Sequence, residues 1–181
     1  CKLSKTCNDL RLLSSGPQAG LNEIHLPPRA AGSSIMPGKV NPVIPEVVNQ
    51  IAFEVIGNAV TITMAAEGGQ LQLNAFEPII AHSLFKSIEH LSAGCRTLTA
   101  HCVRGITANR ELLAERVRTS AGLATALNPY IGYENATRVA QEALRTGRGV
   151  AELVEEMGLM ERAELDKVLA PEVLTAPRRH V

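Results

Sequence analysis

Between positions 44 and 60 the apolar residues Ile44, Val47, Val48, Ile51, Ala52, Val55, Ile56, Ala59 and Val60 recur three and four apart without a miss. That spacing draws one continuous stripe along a helix of 3.6 residues per turn. Glu46, Asn49, Gln50, Glu54 and Asn58 take the other face. Pro45 suits a first helical turn, where its missing N–H has no partner to lose, and Gly68-Gly69 supply a stop. The pattern predicts a helix of ~20 residues, about 30 Å long. A second seam follows, in which Leu84, Ile88, Leu91, Cys95, Leu98 and Cys102 alternate four and three apart over 77–103, the spacing with which one helix receives another. Stripes this wide have to be covered, so both helices read as bundle core. No stretch alternates convincingly with period two, and a sheet is not expected. The fold class is all-α.

Composition narrows the core. Of 181 residues 45% are hydrophobic, with no Trp, two Tyr and three Phe, so Val, Ile, Leu, Ala and Met must fill it, as helix-on-helix packing allows. Eighteen Lys and Arg balance eighteen Asp and Glu, which leaves no net field to recruit nucleic acid or an anionic membrane. The longest uncharged stretch of the striped helix, 55–66, has 12 residues, against the ~20 a bilayer span needs. No charged-then-apolar leader opens the chain. Cys1, Cys7, Cys95 and Cys102 show no C-x-x-C spacing. Cys95 and Cys102, on one predicted helix, are separated by roughly 10 Å of rise, too far to bridge. Free thiols in a cytosolic protein are expected. The chain starts at Cys1 on what reads as the tail of a helix, as a piece of a longer polypeptide would.

Residues 1–14 predict a helix that stops at Ser14-Ser15-Gly16-Pro17. Residues 16–42 hold five of the ten prolines and four of the fourteen glycines, and an irregular segment of that length in a folded domain is usually functional. Composition shifts at 105–109, and short helices are predicted at 110–117, 121–128, 134–146, 150–157 and 161–169. The expected organisation is the end of a long-helix bundle over 1–104, with a functional loop at 16–44, and a small all-helical domain over 105–181.

Three familiar outlines fail on chemistry. Gly32 to Lys39 superficially resembles a phosphate-binding loop, but the glycine spacing is one residue too long and Val40 stands where a hydroxyl should ligate magnesium. Residues 149–169 have a helix-turn-helix outline, yet six acidic residues against Arg162 and Lys167 leave a surface that repels phosphates. His90, Cys95, His101 and Cys102 do not share one helical face, so no metal site is expected.

The stretch Gly32-Ser33-Ser34-Ile35-Met36-Pro37-Gly38-Lys39-Val40-Asn41-Pro42 gathers two hydroxyls, an ammonium and a carboxamide just before the rigid striped helix. Mobile backbone carrying polar groups beside a fixed element suits the capture of a small anion. This stretch resembles the signature loop of the aspartase/fumarase superfamily. The resemblance extends through Asn8-Asp9-Leu10-Arg11-Leu12-Leu13-Ser14-Ser15-Gly16-Pro17, Pro42-Val43-Ile44-Pro45-Glu46-Val47-Val48-Asn49-Gln50 and Glu67-Gly68-Gly69-Gln70-Leu71-Gln72-Leu73-Asn74. It is nearer the ammonia-lyases of that superfamily than the fumarate hydratases, and it covers the C-terminal part of a family member.

The resemblance implies reversible elimination of ammonia from L-aspartate to give fumarate, with fumarate hydration as the alternative and a non-catalytic helical scaffold as the reading from another class. It implies Ser33 as the base at carbon 3, and Lys39, Val40, Asn41 and Ser34 as substrate contacts. Gly32, Met36, Pro37 and Gly38 shape the loop. Glu46 would orient a histidine of a neighbouring subunit, although a carboxylate there also complements a helix N-terminus. No metal or organic cofactor is required, while divalent cations activate some members. A cytoplasmic homotetramer is implied, with a small dicarboxylate substrate and neither nucleic acid nor membrane as partner. Family sites draw Thr, Asn and His residues from upstream segments of three subunits, so these 181 residues alone are expected to be inactive.

Overall fold

Helix α2, Val43–Glu67, forms the spine of the first of two compact units, Cys1–Asn109, and it packs against α1, Lys2–Leu13, and α3, Glu77–His101. The computed structural model describes residues 1–30 and 40–176. Gly32, Ser33, Ser34, Met36, Pro37, Gly38 and Lys39 lie outside the described residues.

The face that α3 turns to α2 is made of small residues. Ser83, Ser87, Gly94 and Leu98 are its buried positions, and a Cβ on Gly94 would come within 2.9 Å of Ile51 Cδ1. Small residues let the two backbones approach closely, and polar groups then meet across the gap. Asn58 Nδ2 donates to Ser87 Oγ at 3.0 Å, and Ser87 Oγ donates to the Ser83 carbonyl at 2.6 Å. Glu54 accepts from Lys86 at 2.7 Å and pairs with His90 Nδ1 at 2.6 Å.

The two helices are therefore rotated from the sequence expectation. Asn49, Glu54 and Asn58, read as an outward polar face, serve contacts within the unit. Much of each apolar stripe instead stays exposed, with Val60 at 61% and Ile88 at 56%. Leu98 and Cys102 at the far end of the seam are buried, whereas Leu84 and Cys95 are not. Periodicity tells which residues share a face, and small hydroxyl-bearing residues carry no such signal although they make the tighter contact. By length and composition alone α2 could cross a membrane, contrary to the count of uncharged residues. Its Asn49 is committed to α1, and its Glu54 and Asn58 to α3.

The apolar cluster of this unit is Cys7, Val48, Leu98 and Cys102, flanked by Leu3, Leu10, Leu26, Ile44 and Ile106. Burial pushes the Cys7 and Cys102 thiols up from their ordinary values, and all four cysteines are free. The absence of a sheet is corrected: β1, Ile24–His25, pairs antiparallel with β2, Thr107–Ala108, in the register Ile24 to Ala108 and His25 to Thr107. Two-residue strands are too short to show a period. Asn109 extends the ladder by donating its N–H to the Glu23 carbonyl at 2.9 Å and its side chain to the Asn22 carbonyl at 3.2 Å.

In the second unit, Arg110–Val181, the regular elements among the described residues are all helices. It runs α4 Arg110–Arg118, α5 Leu123–Ile131, α6 Tyr133–Thr146, α7 Val150–Glu156, α8 Arg162–Val168 and α9 Pro171–Leu174, the last not foreseen. Gly132 and Gly147 take positive φ values of 79° and 72° at helix ends, where a side chain would be strained. Leu127, Val139, Val150, Leu153, Val154 and Leu165 close the core. Glu152 and Glu156 face Arg148, at 3.8 and 2.6 Å, so part of the acidic surface is neutralised within the unit.

Leu127 is fully buried, and Leu127→Ala is expected to cost about 3 kcal/mol, from lost transfer energy plus the cavity left behind. Guanidinium denaturation should show it as a lower midpoint at unchanged slope. The hydrogen bond from Lys86, then that from His90, holds the Glu54 carboxyl below its ordinary range. A depressed acid contributes stability above its unfolded pKa and loses it as pH falls through the folded value. Acid titration should therefore weaken the α2–α3 contact, and Glu54→Gln should flatten that part of the profile.

Candidate functional site

The carboxylate of Glu46 is placed by the start of α2. The helix has no side-chain cap at Pro42, and the Glu46 N–H bonds the Pro42 carbonyl at 3.2 Å. As the acidic residue of the first turn, Glu46 complements the exposed N–H groups there. Across from it, α1 presents Arg11, whose Nε lies 3.9 Å from Glu46 Oε1. Both side chains are partly exposed, so this is a directed contact more than a strong one.

Three residues on along α2, Asn49 is buried at 3% exposure. Its Nδ2 donates to Ser4 Oγ at 2.9 Å, to the Ser4 carbonyl at 3.1 Å and to Asn8 Oδ1 at 3.1 Å. Arg11 Nη1 donates to the same Asn8 oxygen at 3.4 Å. Asn49 Oδ1 has no hydrogen-bond partner among the described residues. A polar run thus joins α1 to α2 and ends on Glu46. Sequence reading had Glu46 but not this support, since Asn49 was placed on the outward face. The available signal was the pairing of Asn8 and Arg11, three apart on one helix, with Glu46 and Asn49, three apart on the next.

A shallow cleft lies at the other side of the α2 start. Leu26, Pro27, Arg29, Asn41, Pro42, Val43, Ile44, Pro45, His101 and Cys102 line it. Arg29 and Asn41 stand close on either side of residues 31–39 in sequence, and Arg29 Nε donates to the His101 carbonyl at 3.2 Å. That bond joins the segment before the signature residues to the C-terminal end of α3. Of the sequence-assigned residues, Asn41 lines the cleft, Val40 is 51% exposed and Glu46 sits one turn into α2. Ser33, Ser34 and Lys39, with Gly32, Met36, Pro37 and Gly38, are outside the described residues. Arg29 was not singled out from sequence. Among the described residues no three His, Cys, Asp or Glu side chains are grouped to hold a metal ion.

Comparison with known proteins adds an independent line. Residues 1–57 match the family described as Lyase, and residues 123–176 match that described as Fumarase C C-terminus. The aspartate ammonia-lyase of Pseudomonas aeruginosa is 64% identical over 177 residues, which is 98% of this chain and 37% of that protein. That of Helicobacter pylori is 56% identical over 97% of this chain and 38% of its own length. The chain thus spans less than two fifths of these relatives. Among solved structures, a Brucella melitensis fumarate lyase:delta crystallin bound to cobalt superposes with a TM-score of 0.90 at 51% identity, over 97% of this chain and 38% of the other. A class II fumarase from Schistosoma mansoni gives 0.86 at 40%, over 96% and 36%.

Asn49→Ala is expected to destabilise the first unit by about 1–3 kcal/mol, because Ser4 and Asn8 lose a buried donor. Asn49→Asp should be worse, since it buries a carboxylate against the Asn8 oxygen. Paired denaturation curves rank the two, and an Asp variant as stable as wild type contradicts the assignment.

Proposed function

Because the chain belongs to the aspartase/fumarase superfamily and matches the C-terminal part of aspartate ammonia-lyases, we propose that the complete protein carrying it eliminates ammonia from L-aspartate to give fumarate, reversibly. The observation that carries this reading is 64% identity over 177 residues to an aspartate ammonia-lyase, in a chain that keeps the serines, lysine and asparagine of the signature loop.

The proposed chemistry follows from those residue types. The proton on carbon 3 of aspartate is weakly acidic, so a strong base must take it while the adjacent carboxylate accumulates charge as an enediolate. Ser33 is assigned that base, as its oxyanion, which loop N–H groups and a nearby cation stabilise. The electron pair returns from the enediolate to form the C2–C3 double bond as the C–N bond breaks, and ammonia leaves. Lys39 holds a substrate carboxylate as a compact point charge. Asn41 and Ser34 donate hydrogen bonds to the same anion, with Val40 beside them in the contact surface. Glu46, at the rigid start of α2, orients a histidine of a neighbouring subunit. The elimination draws on no resident metal or organic cofactor, and a divalent cation acts as an activator only.

The same reading has the complete protein as a cytoplasmic homotetramer with no nucleic acid or membrane partner. The exposed Ile56, Val60, Leu84 and Ile88 on α2 and α3 support it, as a bundle shared between subunits would cover them. Fumarate hydration is the second reading, favoured by the match to Fumarase C C-terminus and by the likeness to the schistosome fumarase.

Purified complete protein separates the two by whether fumarate absorbance rises from aspartate or from malate. Aspartate is the expected substrate, and turnover of malate alone contradicts the proposal. Ser33→Ala should lower kcat by about 10²–10⁴-fold with the fold intact, the range for losing a positioned proton-transfer group. Full activity in that variant removes serine from the base role. The isolated 181-residue chain should release no measurable ammonia.

A further inference from the structure

Packing α1 against α2 does not require charge or a buried amide. Apolar pairs would hold the two helices together, whereas burying a carboxamide costs free energy unless its bonds are made. Here Asn49, at 3% exposure, gives Nδ2 to Ser4 and Asn8 and leaves its Oδ1 without a partner among the described residues. The arrangement fixes direction at the expense of burial energy. What it directs is Arg11, whose Nη1 donates to the Asn8 oxygen at 3.4 Å while its Nε lies 3.9 Å from Glu46 Oε1. A guanidinium is a planar fork, so gripping one arm orients the other.

We propose that Arg11, held by Asn8 and Asn49, is a positioning residue that sets the orientation of the Glu46 carboxylate and so acts on catalysis only through it. The inference rests on the lyase reading, in which Glu46 orients a histidine of another subunit. Arg11 touches neither substrate nor reacting atoms in this account. Its role is to select which way the carboxylate faces before the partner subunit's side chain arrives. The elements packed at this point are α1 and α2, and Gln50 approaches only the main chain of Glu46, donating Nε2 to its carbonyl at 3.3 Å.

The test is a double-mutant cycle in the complete protein, with kcat and KM for aspartate measured on Arg11→Met, Glu46→Gln and the combined variant. Arg11→Met is expected to lower kcat about tenfold with KM within about twofold, and Arg11→Lys, which keeps the charge but lacks the fork, to recover little of the loss. The combined variant should be no slower than Glu46→Gln alone, because Arg11 has nothing left to orient. Losses that multiply in the combined variant overturn the inference, as does a wild-type kcat in Arg11→Met while Glu46→Gln is impaired. A wild-type kcat in Glu46→Gln removes the Glu46 role, and the Arg11 proposal falls with it. If Arg11→Met does not assemble, Arg11→Gln, which keeps a donor and drops the charge, takes its place in the cycle under the same criteria.

Discussion

The close approach of α2 to its two neighbours is the constraint on which the first unit depends. Gly94 under Ile51, and Ser83 and Ser87 along the same face of α3, allow backbones to near one another where leucines would hold them apart. Once that close, the helices must satisfy whatever polar groups lie between them. Asn58 meets Ser87, Glu54 meets Lys86 and His90, and on the α1 side Asn49 meets Ser4 and Asn8. These bonds set the rotation of α2 about its own axis. They leave Glu46 beside Arg11 and the part of the apolar stripe formed by Val47, Ile56 and Val60 exposed.

That rotation links packing to assembly and to chemistry. Turning the polar groups inward leaves Val60, Ile88 and their neighbours uncovered, the apolar area that the proposed homotetramer would bury. The same turn places Glu46 and the cleft residues Arg29 and Asn41 around the N-terminal end of α2. A helix tied down on two sides is a firm platform for the side chains at its N-terminal end, where the proposed function needs a fixed carboxylate. The thiols of Cys7 and Cys102, pushed up from their ordinary values by burial, serve as small apolar filling.

How much of this was legible in the sequence varies by element. The long helices were read almost to their ends, because Val48 and Ala52 in α2 and Leu98 in α3 carry the 3.6-residue period that burial demands. The short helices of the second unit were found because Gly132, Gly147 and Gly158 stop them with positive φ. What the pattern could not give was which face met which partner. Serine and glycine have no hydrophobic signal, so the α2–α3 contact was invisible, and Asn49 looked like a surface residue. The two-residue strands and the four-residue α9 were too short to leave a period. Around the start of α2, Glu46 and Asn41 are residues that the motif names, whereas the placement of Arg29 and of Arg11 depends on contacts across 72 and 35 residues of sequence.

A crystal structure of the complete protein with a non-reactive aspartate analogue tests the account most directly. The account expects Lys39 Nζ and Asn41 Nδ2 within about 3 Å of one carboxylate of the ligand, Ser33 Oγ facing its carbon 3, and the α2–α3 stripe covered by other subunits. A ligand bound away from these residues, with the Ser33 hydroxyl turned from it, contradicts the account.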